Sequence, residues 1–225
     1  MYESLRITAS LMCGVVCDRW LPLDGILLAQ AARDQYGALP MTTPGGNALP
    51  GEIAMPLAVV HAGAPHWYYA CSWAQPQPWW IDEGRDHWNK RLDSDLAERY
   101  SMAQRVVIEK GAYKAYHMPV FYYVATQAVW YAVGDAAEIR ALLSTCTHIG
   151  KKRDQGWGRV IEWRVEPWSE DWSRYGPDGR PTRGVPIAEG ERINVDCELI
   201  NYAVRPPGYM PENQMTLAVA RDKKG

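Results

Sequence analysis

The stretch Ile149-Gly150-Lys151-Lys152-Arg153-Asp154-Gln155-Gly156-Trp157-Gly158-Arg159 constrains this chain more than any other. A helical pattern runs into it and a strand pattern runs out, which places a shaped loop at the edge of a sheet. Its glycines let backbone N–H groups approach a ligand closely. Lys151, Lys152, Arg153 and Arg159 suit phosphate neutralisation. Trp157, held between Gly156 and Gly158, offers a face on which a base stacks. Together with Gln155 these residues read as a site for a nucleic-acid backbone. A solvated turn, whose cations complement the dipole of the preceding helix, satisfies the same composition. Trp157 reads equally as a plug packed under the loop.

The chain as a whole is no polycation. Its 225 residues carry a net charge of −2 and a pI near 6.2, so nucleic-acid binding has to come from local basic patches. That length buries a substantial core in one domain, residues 1–225, with an insertion at 75–118 and a strand-rich C-terminal extension at 168–225. Eleven Trp and 13 Tyr stand against a single Phe. Such amphipathic aromatics suit surfaces partly covered by a partner, and an ordinary Trp-rich core as well. Cys13, Cys17, Cys71, Cys146 and Cys197 are odd in number and scattered, so neither a zinc site nor a disulfide framework is expected. The N-terminus lacks the basic and apolar regions of a signal peptide. Val120 to Val133 is too short and too polar to span a bilayer. The expectation is a reduced, cytoplasmic compartment without membrane attachment.

Leu5, Ile7, Ala9 and Leu11 alternate with polar residues as a half-buried opening strand. Asp24 is placed to cap a helix that runs to Tyr36 and stops at Gly37. Strand patterns follow at Leu57 to His61 and His66 to Trp73, and Gln75 to Asn89 reads as a Trp-dense loop. Arg105 to Glu109 and Ala112 to His117 read as two strands of a ribbon turning at Lys110-Gly111. Arg105, Lys110, Lys114 and His117 are its polar members, interleaved with Tyr113 and Tyr116. Val120 to Val133 reads as one long strand or two. Asp135 and Glu138 form a capping box for a helix whose buried face is Ile139, Leu142, Leu143 and Cys146. Ile161, Trp163 and Val165 alternate with charges in the strand beyond the loop, and Ile193 to Val204 and Met215 to Ala220 close the chain as strands. The fold class is α+β, and the order of elements, stripped of the insertion, is a split βαβ pattern of ferredoxin-like, RRM-like type.

The run Gly134-Asp135, Leu142-Leu143, Ile149-Gly150-Lys151-Lys152-Arg153 and Gly156-Trp157-Gly158-Arg159-Val160 resembles the signature of CRISPR-associated RAMP proteins. Trp20-Leu21-Pro22-Leu23-Asp24-Gly25 before a helix resembles the Cas-five-type subunit of type IV effector complexes. The resemblance implies a RAMP domain with a β-hairpin thumb, which Arg105 to His117 would supply. It implies a subunit that grips the five-prime handle of the crRNA and caps the filament of backbone subunits. Its partners would be the crRNA and the backbone and large subunits, with target DNA as a further partner it allows. Related processing nucleases use a His at the start of the first helix. This chain has Asp24-Gly25 there, so the resemblance implies no catalytic residue, and no metal or other cofactor is expected.

None of His61, His66, His87, His117 and His148 lies in a recognised catalytic motif. His117, at the end of the ribbon, is the one to test. Asp82-Glu83 and Glu170-Asp171 read as solvated turns, and Trp79-Trp80 as a partner interface or a local loop core. Three functions remain: a guide-RNA-binding structural subunit, an endoribonuclease that processes precursor crRNA on the same scaffold, and a protein-interaction or carbohydrate-binding module. The Lys-Lys-Arg loop argues against the third, and the absence of a motif-placed His against the second.

Overall fold

Alternation in the opening strand β1 (Tyr2–Leu11) sends Leu5, Ile7, Ala9 and Leu11 into a core in which each is less than a tenth exposed. In this computed structural model, which describes residues 1–37, 53–77, 82–90, 99, 114–187 and 197–221, that strand is the seed of the central sheet. The further elements are α1 (Leu23–Tyr36), β2 (Val59–Val60), β3 (Tyr68–Tyr69), β4 (Gln75–Gln77), β5 (Asp82–Lys90), β6 (Tyr116–Val124) and β7 (Gln127–Asp135). They are followed by α2 (Ala136–Ser144), β8 (Val160–Pro167), β9 (Val185–Pro186), β10 (Cys197–Ala203) and β11 (Gln214–Ala220). The protein is α+β. Its four-stranded sheet has the order β4-β7-β1-β8, and every neighbouring pair is antiparallel.

Helices α1 and α2 cover one face of this sheet. Leu27 of α1 and Ile139 and Leu143 of α2 pack against Ile7, Ala9 and Val165, with Trp130 of β7 wholly buried among them. Two indoles in this layer satisfy their N–H groups on loop carbonyls, as buried Trp requires. Trp130 Nε1 donates to the Leu21 carbonyl at 2.9 Å and Trp163 Nε1 to that of Cys146 at 2.8 Å. The Asp135 carboxylate accepts from the N–H groups of Ala137 (3.0 Å) and Glu138 (3.2 Å), which fixes the start of α2 as its cap sequence predicts. Gly37 ends α1 in the left-handed conformation at φ 71°.

The start of α1 departs from expectation. Its N-cap is Pro22, without a side-chain bond, and Asp24 lies inside the first turn. Asp24 is 1% exposed and faces Arg183, with 3.8 Å between Oδ2 and Nη2. Tertiary pairing has taken the carboxylate that a local cap would have used. The strand after the glycine-rich loop also differs. Ser10 pairs with Glu162 and Leu11 with Val160, so Ile161 is an extra residue at a β-bulge and stands 68% exposed.

The C-terminal part forms a second sheet of order β10-β11-β9 over its own core of Tyr68, Trp73, Val204, Leu217 and Val219. Arg183 joins the two cores. Its guanidinium donates to the carbonyls of Tyr69, Cys71 (2.9 Å) and Val204 (2.6 Å) and lies 4.5 Å above the Tyr68 ring.

Residues 75–89, read as loop, contain β4 and β5. β5 pairs with β6 from Asp82↔Val124 to Lys90↔Tyr116, a two-stranded ribbon largely exposed on both faces. Asp82-Glu83 therefore opens a strand and is not a turn. Val120 to Val133 is two strands, parting at Ala125-Thr126. Arg105, Lys110 and Tyr113, and with them most of the expected ribbon at 105–117, lie outside the described residues, as does Trp79-Trp80.

Candidate nucleic-acid interface

The glycine-rich loop is built on a neck that only glycine permits. At Gly158 (φ 69°) an added Cβ would stand 1.9 Å from the Ile149 carbonyl oxygen, and at Gly150 (φ 81°) 2.6 Å from that of Val16. The Ile149 N–H donates to the Gly158 carbonyl (2.9 Å), the Gly158 N–H to that of Gly14 (2.9 Å) and the Met12 N–H to that of Arg159 (2.9 Å). These bonds bolt the neck to residues 12–16, just beyond β1. Above the neck, Lys152 adopts the left-handed region at φ 57°, Arg153–Gln155 form one 3-10 turn, and Gly156 closes it at φ 88°.

The loop's cations are already distributed. Lys151 Nζ pairs with Asp18 Oδ1 at 2.8 Å, and both side chains are more than half exposed, so the pair exchanges readily for another anion. Lys152 Nζ lies 4.9 Å above the ring of Trp88 in β5. Arg153 is half-buried, and that burial, followed by the neighbouring Arg33, lowers its pKa from the usual guanidinium value. Gln155, Gly156 and Arg159 are exposed. Trp157 is half-buried and packs on Tyr122 of β6, with ring centroids 4.6 Å apart. In this position Trp157 wedges the loop against the ribbon.

The ribbon leaves the body at this junction. Val15 and Tyr123 exchange backbone hydrogen bonds at 2.8 and 2.9 Å. Gly84 faces Tyr122 across the strands, and a Cβ there would come within 2.0 Å of the Tyr122 ring. The register sets Gly84, Trp88 and Lys90 on one face with Tyr122, Met118 and Tyr116, the face that meets the loop. Lys90 and Lys114 both lie over Tyr116, at 6.0 and 5.8 Å. On the opposite face His87 and His117 stack at 4.5 Å and 7°, Asn89 Oδ1 meets His117 Nδ1, and Arg85 lies 5.5 Å over Phe121.

Loop, residues 12–18 and ribbon thus converge. On the face that meets the loop, Lys151, Lys152, Trp157 and Lys114 are joined by Trp88 and Tyr122, while His117 lies with Arg85, His87 and Asn89 on the ribbon's other face. The sequence marked Trp88 only as part of a Trp-dense run read as loop, and the pairing of β5 with β6 is what sets it here. Among the described residues no cluster of three or more His, Cys, Asp or Glu side chains is arranged to hold a metal ion. No helix there is long and apolar enough to cross a membrane.

A family model described as CRISPR type IV associated protein Csf3 matches residues 56–220, well over half of the chain, including ribbon, loop and C-terminal sheet. The chain belongs to this family and is a component of the type IV CRISPR effector machinery. No curated protein matches it.

Proposed function

We propose that this chain is the Cas-five-type, guide-RNA-binding subunit of a type IV effector complex, gripping the five-prime handle of the crRNA and capping the filament of backbone subunits without cutting RNA. The observation that carries the reading is the convergence of the glycine-rich loop with the base of the ribbon. It sets Lys151 and Lys152 beside Trp88, with Lys90, Lys114 and Tyr116 continuing farther out on the same face of the ribbon. A kinked single strand needs this alternation: cations for phosphates and aromatic faces for unstacked bases. The strand order β4-β7-β1-β8, with helices after β1 and β7, supports a ferredoxin-like RAMP core, and the β5–β6 ribbon, rather than the 105–117 run read from the sequence, is the hairpin we assign as the thumb.

The test is the salt dependence of guide-RNA binding. Replacing Lys151, Lys152 and Arg153 together by Ala is expected to weaken binding across RNA sequences and to flatten the log–log salt slope by roughly two for three lost phosphate contacts on a single strand. Unchanged affinity and slope overturn the reading. Co-purification with one RNA of guide length and the backbone subunits is expected alongside it.

The stacked His87–His117 pair favours a second reading, a RAMP-type endoribonuclease that processes precursor crRNA. Incubation of purified protein with labelled precursor separates the two. No cleavage is expected, and cleavage abolished by His117→Ala would establish the nuclease instead.

A further inference from the structure

A cleft of about 470 Å³ opens between the central sheet and the C-terminal sheet, within the size range of small-molecule sites. No residue of the glycine-rich loop or the ribbon lines it. One wall is the Trp20–Trp73 pair, with centroids 5.3 Å apart and Arg19 5.2 Å over Trp20. The other is Tyr131 against Trp172, at 4.9 Å. Four arginines line the cleft, Arg19, Arg180, Arg183 and Arg221, against a single carboxylate, Asp178.

The way these arginines are held matters more than their number. Arg19 is paired with Glu198 at 2.6 Å and is electrically answered. Arg180 is anchored differently: its Nη2 donates to the Arg221 carbonyl. A carbonyl fixes a guanidinium without cancelling its charge, and five N–H groups leave donors to spare. Arg180 also sits on a stiff lip. The Gly176 N–H donates to the Arg180 carbonyl (2.8 Å), the Gly179 N–H to that of Gly176 (3.0 Å), and the Asp178 carboxylate accepts from the Arg180 N–H (3.1 Å). A cleft walled by tilted aromatic rings, with a fixed cation at its mouth, offers a face for a base and a charge for its phosphate.

We infer that this cleft holds one unstacked nucleotide of a single-stranded nucleic acid, its base against Trp20 and Trp172 and its phosphate on Arg180. The inference rests on the RNA-binding reading above for the strand that supplies the nucleotide, and on the cleft alone for the chemistry.

Trp20, Trp73 and Trp172 line the site, so tryptophan fluorescence of the full chain reports on it. Titration with AMP and UMP is expected to give saturable quenching, with adenosine binding more weakly and inorganic phosphate having no effect. Trp172→Ala is expected to raise Kd roughly tenfold, about 1.4 kcal/mol of stacking. Arg180→Gln, with its fold checked by a thermal melt, is expected to erase the preference for AMP over adenosine. A short single-stranded oligoribonucleotide displaces the mononucleotide, and the Lys152→Ala variant still binds AMP. Absent quenching overturns the inference. So does quenching that survives both cleft variants, a mononucleotide that no oligonucleotide displaces, or a cleft that ignores nucleotides and takes an acidic aromatic peptide. Failure of the loop reading is distinguishable: long-RNA binding would then be indifferent to substitution of Lys151, Lys152 and Arg153, while AMP quenching persisted.

Discussion

Gly156 and Gly158 stand two residues apart and answer to different constraints. Both have positive φ, yet a Cβ on Gly156 meets nothing within 4 Å, while one on Gly158 collides with the Ile149 carbonyl. Gly156→Ala is expected to cost about 1 kcal/mol, the penalty of left-handed backbone alone. Gly158→Ala is expected to cost at least roughly 3 kcal/mol, because the backbone of the neck has to move. Thermal melts of the two variants check the contrast. Arg183 is the other residue on which much depends. Arg183→Met leaves Asp24 without its facing charge and four carbonyls, of Tyr69, Cys71, Gly184 and Val204, without their donor, and a loss of about 3–5 kcal/mol is expected from equilibrium denaturation. The Asp24→Asn/Arg183→Met double variant is expected to lose less than the sum of the singles, since the two groups face each other.

At the scale of elements, the ribbon and the central sheet are built on different terms. β1 and β7 run antiparallel through the core, one face under two helices. Among the described residues β5 and β6 pair with each other and meet the body at the Val15–Tyr123 anchor, the Trp157 wedge and the Lys152–Trp88 contact. A two-stranded ribbon with wet faces is marginal by itself. Amides of 84–90 and 116–122 are therefore expected to exchange with solvent deuterium faster than those of β1 and β7. Trp157→Ala is expected to speed exchange around Tyr122 and to leave that at Ile7 unchanged. Equal protection in both regions would contradict this account of the ribbon. The same physics hid β5 from the sequence. Asp82 to Lys90 buries neither face against a core, so it carries no apolar alternation, and Asp, Gly and Asn in that run read as loop.

Over the whole molecule, buried acids that hold their protons set a limit on alkaline stability. Burial, and after it the charge of Asp18, pushes the Cys17 thiol from 9.0 up to about 12. Burial, then Asp18 and Asp24, pushes the Tyr202 hydroxyl from 10.0 up to about 12. In each case the folded chain keeps a proton that the unfolded chain has given up, so stability is full below the unfolded pKa and falls as pH rises toward the folded one. Denaturation midpoints are expected to be insensitive to these groups below pH 9 and to decline between about pH 9 and 12. Tyr202→Phe is expected to flatten the upper part of that decline. Iodoacetamide followed by mass spectrometry provides an independent check: at pH 8 a thiol with a pKa near 12 is roughly 10⁻⁴ thiolate, so Cys17 is expected to stay unmodified in the folded protein.

The sequence by itself determined what short-range physics determines. Alternation placed β1 and β11, and a 3.6-residue period with an Asp cap placed α2. Glycine at positive φ marked the loop, since no other residue fits at 150 and 158. The link to a type IV CRISPR-associated family was legible for the same reason, being carried by short runs of sequence. Tertiary structure alone decided the partners. It took Asp24 from its helix cap and set it beside Arg183, 159 positions away, and it laid Trp157 on Tyr122 and Lys152 on Trp88. It also gathered Trp20, Trp172 and Arg180 around one cleft. Composition lists such residues without pairing them, because pairing is fixed by the packing of sheets and by which desolvated charge finds which carbonyl, and neither has a period along the chain.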